Sequence, residues 1–140
     1  MTVLEPVTVD RARAMRKPVL SAAAVLGATA YVGAVDPNQS GHYPTCPFLF
    51  LTGRYCPGCG SLRAVHALAH GDLGAAIGLN VLTVLGGVLL TVIWLRWAAR
   101  SWRGEQRGTV APPWVHYALL VVLVVFGVVR NLPFGAALAP

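Results

Sequence analysis

The stretch "LGAAIGLNVLTVLGGVLLTVIWL", residues 73–95, carries no charged side chain, and Arg96 follows it at once. Its core from Asn80 onward is rich in β-branched residues and would suit a strand in water. Length argues for a helix. About 20 apolar residues in a row are what a helix needs to cross a hydrocarbon core of about 30 Å. In lipid every backbone polar group must be satisfied inside a helix or a closed barrel, and 140 residues with these patterns do not make a barrel.

Two further apolar runs flank this one. Pro18 to Val35 is uncharged and follows the basic cluster Arg11, Arg13, Arg16 and Lys17. Pro18 suits a first helical turn, where its missing N–H costs nothing, and "DPNQSG" at 36–41 ends the run with turn residues. The alternative is a cleaved signal peptide, since Val32-Gly33-Ala34 offers small residues. The long polar segment ahead of it and its full spanning length favour a retained helix. The third run, Trp114 to Val129, follows "APP" at 111–113 and ends at Arg130. The chain is 56% hydrophobic and 11% charged, against roughly 25% charged in soluble domains. The net charge of +6 does not point to nucleic acid, because the basic residues sit in short clusters beside the apolar runs.

The predicted fold is therefore an all-α integral membrane protein with three transmembrane helices and a short amphipathic helix in the outer loop. Residues 1–17 form a cytoplasmic N-terminal segment, and 18–140 a single membrane domain. Its spans lie at about 18–35, 75–96 and 114–130, with an outer loop at 36–72 and a cytoplasmic loop at 97–113. Lys and Arg number four (11–17), two (Arg54, Arg63), four (Arg96, Arg100, Arg103, Arg107) and one (Arg130) in successive flanking regions. High, low, high, low is the positive-inside pattern for three spans. Trp94, Trp97, Trp102 and Trp114 fall near the inner boundary as an aromatic belt, and Tyr31, Tyr43 and Tyr55 near the outer one. Abundant Ala, Val and Gly with a single lysine suggests a GC-rich bacterial genome, and the spans with their charge pattern then place the chain in the bacterial plasma (inner) membrane.

The outer loop then holds all three cysteines, Cys46, Cys56 and Cys59, on an oxidising side. "CPFLFLTG" (46–53) is too short to cross and reads as an interfacial or re-entrant piece, with Gly53 turning the chain back. Cys56-Pro57 reads as a helix start. The helix would run to His70, with Gly71 ending it and Asp72 capping the next one. On a helical wheel Cys59, Arg63, His66 and His70 make one polar stripe opposite Leu62, Val65, Leu68 and Ala69; the helix lies on the outer membrane surface, its stripe facing water, or packs over the mouth of the bundle.

Three chemistries compete for the cysteines. A disulfide from Cys46 to Cys56 or Cys59 would staple the loop, and is the preferred reading. A thiol–disulfide exchange pair, Cys56 and Cys59 with Cys46 resolving, would draw on a helix N-terminus to acidify Cys56. A metal site on Cys56, Cys59, His66 and His70 has cysteine spacing in its favour. A continuous helix would, however, carry His66 about 10 Å from Cys59. His66 and His70 alone would need a third ligand such as His42. Arg130 and Asn131, at the outer end of the third helix, and Asn80, near the outer start of the second, either snorkel or clamp the surface helix by its carbonyls.

"CPGCGSLRAVHALAHGDLGAAIGLN" resembles the signature of domain-of-unknown-function family 2752, a family of small bacterial membrane proteins. Cys56, Pro57, Cys59, Gly60, Arg63, Ala64, Leu68, Gly71, Asp72 and Asn80 stand where that signature has them. Leu62 departs from a usual threonine. Val81 departs from a usual proline, which removes a kink or start signal for the second span. The resemblance implies membrane architecture and an important cysteine loop, and no catalytic activity.

The reading at this level is a small accessory or assembly subunit without a cofactor. It sits in the lipid bilayer beside a membrane-protein partner or a second copy, with Gly86-Gly87 as a close-approach patch. The rivals are a membrane thiol–disulfide oxidoreductase and a metal-binding protein. No Asp, Glu, Lys or Arg lies in the interior of a span and His116 stands near the inner end of the third, which disfavours a transporter.

Overall fold

In the computed structural model, which describes residues 11–39, 41–105 and 112–140, no strand occurs among the described residues. The elements are α1 (Arg11–Ala34), α2 (Pro47–Thr52), α3 (Ser61–Ala69), α4 (Leu73–Trp102), α5 (Pro113–Val129) and a terminal 3-10 helix (Pro133–Leu138). Helices α1 and α4 are long and apolar enough to cross a membrane, while α5 is apolar but shorter. Its 17 residues reach about 26 Å at 1.5 Å per residue.

Helix α1 starts earlier than its apolar run. The cluster Arg11, Arg13, Arg16 and Lys17 lies on the helix and not ahead of it, because Ala, Met, Arg and Lys are all good helix formers. Pro18 is consequently inside the helix, not in its first turn. It is buried, and its carbonyl accepts from Trp94 Nε1 at 3.2 Å and from Ser21 Oγ at 2.8 Å. Trp94, expected in an aromatic belt, thus turns inward and ties α4 to α1. The Arg11 guanidinium stands 5.8 Å above the Trp102 ring, so α1 and α4 run antiparallel. The N-terminal segment 1–10 and loop positions 106–111 lie outside the described residues.

Helix α4 is two helices in sequence. At Asn80 the backbone turns extended (φ −163°, ψ 96°). The Asn80 Oδ1 accepts from Thr83 N at 3.1 Å, which is an N-cap on the segment that follows. The start signal lost with a proline at position 81 is therefore kept by the asparagine itself. From Val81 to Trp102 the helix is about 33 Å long, close to a bilayer core, so the long shaft begins after Asn80 and not at residue 75.

Across the end where the cysteines lie, α3 packs on α1 and α4. Its buried residues are Ala64 and Ala67, clustered with Ala76 of α4. Leu62 and Leu68, by contrast, are exposed. The expected division into an apolar packed face and a water-facing stripe is thus corrected: Cys59 is buried and His66 half-buried against α1. Small side chains decide this, because they let helix backbones approach closely. The predicted ends of α3 and α4 hold. Gly71 is left-handed (φ +79°), and Asp72 Oδ1 accepts from Ala75 N at 2.8 Å.

Candidate functional site

The segment Tyr55–Gly60 is a turn, and helix α3 begins only at Ser61. Left-handed Gly60 (φ +83°) precedes it. A Cβ there would meet the Leu79 carbonyl oxygen at 2.6 Å, so position 60 needs glycine for both conformation and space. Cys56 is not at a helix N-terminus, contrary to expectation. Cys46 is, since it caps α2 with Pro47 at the first helical position.

Side chains from distant elements hold the turn. Asn80 Nδ2 donates to the Pro57 and Cys59 carbonyls at 2.9 and 3.0 Å. Arg130 Nη1 donates to the carbonyls of Cys56 (3.0 Å), Cys59 (3.1 Å) and Pro57 (3.4 Å). Asn131 pairs with the peptide of Tyr55, accepting from its N–H at 2.9 Å and donating to its carbonyl at 2.8 Å. Of the two alternatives for Asn80, Arg130 and Asn131, snorkelling or clamping, the structure has a clamp, and it grips residues 55–59 and not the carbonyls of α3. Arg63, half-buried on α3, takes no part in it. Sequence reasoning missed Tyr55 as the Asn131 partner. It also missed Ser61 and Thr83, whose hydroxyls meet at 2.8 Å beside Asn80, and Gly127, whose missing Cβ makes room for the Pro57 ring. Asn80 followed three residues later by Thr83 was the one local cue, an N-cap pattern within an apolar run.

Held this way, the three thiols converge. Cys56 Sγ lies 3.4 Å from Cys46 Sγ and 3.1 Å from Cys59 Sγ, and all three sulfurs fall within 4.8 Å of one another. The cysteines are not in a disulfide, a correction to the expected Cys46 bridge to Cys56 or Cys59. A bridge needs sulfurs about 2.05 Å apart, and here three thiols share one centre without pairing off. Gly53, left-handed at the end of α2 (φ +65°), does fold the chain back as expected. The proposed metal set of Cys56, Cys59, His66 and His70 is corrected too. Five residues of helix, about 7.5 Å, carry His66 away from Ser61, and its Nδ1 sits 2.8 Å from Val32 O of α1. Cys46 takes the place given to the histidines.

The environment separates the thiols. Cys46 is held below the ordinary thiol range, first by the Leu49 backbone N–H at the start of α2 and then by Cys56. Burial pushes Cys59 up to about 12, and the Cys56 N–H reaches its sulfur at 3.3 Å. Arg130, 1% exposed, supplies the positive charge. Its Cζ lies 4.9 Å from the Phe126 ring and 5.9 Å from that of Tyr55. Its Nε and Nη2 are buried without a hydrogen-bond partner.

The sulfurs suit a metal ion. Bonds near 2.3 Å in a tetrahedral zinc site put sulfurs about 3.8 Å apart, so Cys56 would have to move by a few tenths of an ångström from Cys46 (3.4 Å) and Cys59 (3.1 Å) to share one ion with them. Soft thiolates select zinc or monovalent copper. Three thiolates around a dication would leave one negative charge, which the buried Arg130 guanidinium with its unsatisfied donors would offset.

Residues 46–94 match the model of a family described as a protein of unknown function (DUF2752). The chain resembles that family from Cys46 through the cysteine turn, α3 and most of α4. Arg130 and Asn131 lie beyond the matched segment. No curated protein and no solved structure matches the chain.

Proposed function

We propose that this chain is a small three-span membrane protein whose cysteine end binds a soft metal ion through Cys46, Cys56 and Cys59. We read its role as an accessory or assembly subunit of a bacterial plasma-membrane complex. The observation that carries the metal reading is the convergence of three sulfurs within 4.8 Å beside a buried, partly unsatisfied Arg130. Three ligands leave a fourth position for a small ligand or for a donor from another chain, as sites with exchangeable positions do. The alternating arginine counts support an outward-facing cysteine end. Partnership is supported by the long apolar flanks of α5, where Leu119 to Val125 are all exposed. Gly86 and Gly87 add to this, since a Cβ at either would meet nothing within 4 Å in this chain.

A second reading, thiol–disulfide exchange, draws on Cys56 lying between the other two sulfurs. One experiment separates the two. The protein is purified in mild detergent without chelator, and its metal content and cysteine alkylation are measured before and after chelation and reduction. One equivalent of zinc or copper, with all three cysteines protected until chelation, is the expected result. Free alkylation of all three with no metal overturns the metal reading. Two cysteines protected until reductant is added favours exchange.

A further inference from the structure

We propose that the end of the bundle opposite the cysteines, built by the start of α1 and the end of α4, binds the phosphate headgroup of an anionic phospholipid. This rests on the membrane-spanning reading and not on the metal reading. Two contacts set the helix ends side by side. The Arg11 guanidinium lies 5.8 Å from the centroid of the Trp102 ring. Trp94 Nε1 donates to Pro18 O at 3.2 Å and to Ser21 Oγ at 3.1 Å. Basic side chains of both helices therefore share one end. Arg16 and Lys17 stand three and four residues after Arg13 on α1, and Arg100 and Arg103 stand four and seven residues after Arg96 on α4. At these spacings each set lies along one helix face. Arg11, Arg16, Lys17, Arg96 and Arg103 are exposed. Among the described residues the acidic side chain at this end is Glu105 alone, so the end carries a large excess of positive charge.

The depth of this charge fits a headgroup layer. Residues 11–17 and 96–103 each cover about 10 Å of helix at 1.5 Å per residue. Toward the cysteines both shafts are uncharged, from Pro18 to Ala34 on α1 and from Leu95 back to Leu73 on α4. Helix α5 meets the cysteine turn with its C-terminal end, so its first turns lie toward the basic end. The rings of Trp114 and Tyr117 there, and of Trp102 on α4, are exposed, as amphipathic aromatics are where lipid meets water. An open groove of about 450 Å3 runs along one face of α1, lined by Ala12, Arg13, Met15, Arg16 and Val19. It combines two guanidinium groups with apolar Met15 and Val19. Guanidinium forks match phosphate oxygens, and the apolar lining suits the acyl chain below them. A free oxyanion would leave that lining unused. Basic clusters beside spanning helices are the recognised chemistry of anionic headgroup binding.

The test offers the full chain, in mild detergent, equal amounts of dioleoylphosphatidylglycerol and dioleoylphosphatidylcholine, and reads the retained lipid by native mass spectrometry. Phosphatidylglycerol should be retained about tenfold or more over phosphatidylcholine, and the preference should fall as salt is raised. Arg16→Gln, Lys17→Gln, Arg96→Gln and Arg103→Gln lie at exposed positions. Each should lower the preference by up to about fivefold, and the four together should abolish it. Arg54→Gln, exposed at the cysteine end, should leave it unchanged. Helicity by circular dichroism separates loss of binding from loss of fold, and the single variants carry the test if the fourfold one unfolds. Equal retention of the two lipids by the wild-type chain overturns the proposal, as does an equal loss in Arg54→Gln. Displacement of phosphatidylglycerol by millimolar inorganic phosphate overturns it in favour of a free oxyanion. A chain that stays monodisperse without detergent overturns the spanning reading itself. A chain that needs detergent and shows no lipid preference overturns this inference alone.

Discussion

At the cysteine end, the carbonyls of Tyr55, Cys56, Pro57 and Cys59 all accept from Asn80, Arg130 or Asn131. Along the shafts of α4 and α5, little is held by the chain itself: Leu85 and Val88 to Leu90 are exposed, and so is every residue from Leu119 to Val125. Helix α5 meets the rest of the molecule mainly at its last turn. Phe126 is buried there, Gly127 lies against Pro57, and Arg130 and Asn131 reach the turn. The difference follows from where the backbone leaves the helix. A helical shaft satisfies its own N–H and C=O groups and can present side chains to lipid. A turn cannot satisfy its own carbonyls, and polar side chains must come to it.

The largest effect should follow from breaking the polar end at its centre. Arg130→Ala removes donors from three carbonyls and the cation beside the thiols. A destabilisation on the order of 3–5 kcal/mol is expected, read by denaturant unfolding in micelles, together with loss of bound metal. Arg130→Lys keeps the charge but not the planar fork, and should fall between that variant and wild type. Unfolding unchanged in both would mean that the clamp does not hold this end.

Asn80 divides the contrast more finely. Asn80→Ala should cost about 2–3 kcal/mol, combining a lost helix cap with lost bonds to the turn. Asn80→Asp keeps the Oδ1 cap toward Thr83 and removes the Nδ2 donors. It should preserve helicity by circular dichroism while weakening metal retention. Equal loss of both in the aspartate variant would show that cap and clamp are one unit.

Gly60→Ala forces a side chain into a left-handed position against the Leu79 carbonyl, at a cost of about 1–2 kcal/mol from the backbone conformation alone. The smallest effect belongs to the shafts. Val122→Ala, at an exposed position of α5, should change the stability of the isolated chain by no more than about 0.5 kcal/mol. A substantially larger loss would place another chain, or a second copy of this one, on that flank.

Much of the fold was legible because its signals are local. Uncharged runs mark α4 and α5. Gly53 and Gly71 stop helices by taking positive φ, Asp72 caps the helix it precedes, and the basic clusters separate one end of the bundle from the other. The start of α1 was misplaced because proline was read as a first-turn residue, whereas good helix formers carry the helix upstream through it. The packed face of α3 was assigned by hydrophobicity, although in this environment small residues choose the contact and leucines can be left outside.

By itself the sequence determined that the chain is helical, with runs long and apolar enough to cross a membrane, and that its cysteines share one end with Asn80, Arg130 and Asn131. Apolar length, caps and charge clusters act over a few residues, and any chain carrying them must respond in this way. Only the tertiary structure decided that Cys46 joins Cys56 and Cys59 around a common centre while His66 turns to the Val32 carbonyl of α1. It also decided that the clamp grips the turn and not α3. Arg130 and Cys56 are 74 positions apart, and their contact depends on where the last turn of α5 meets the loop. No local pattern encodes that approach, because it arises from turn carbonyls that find no donor within their own segment.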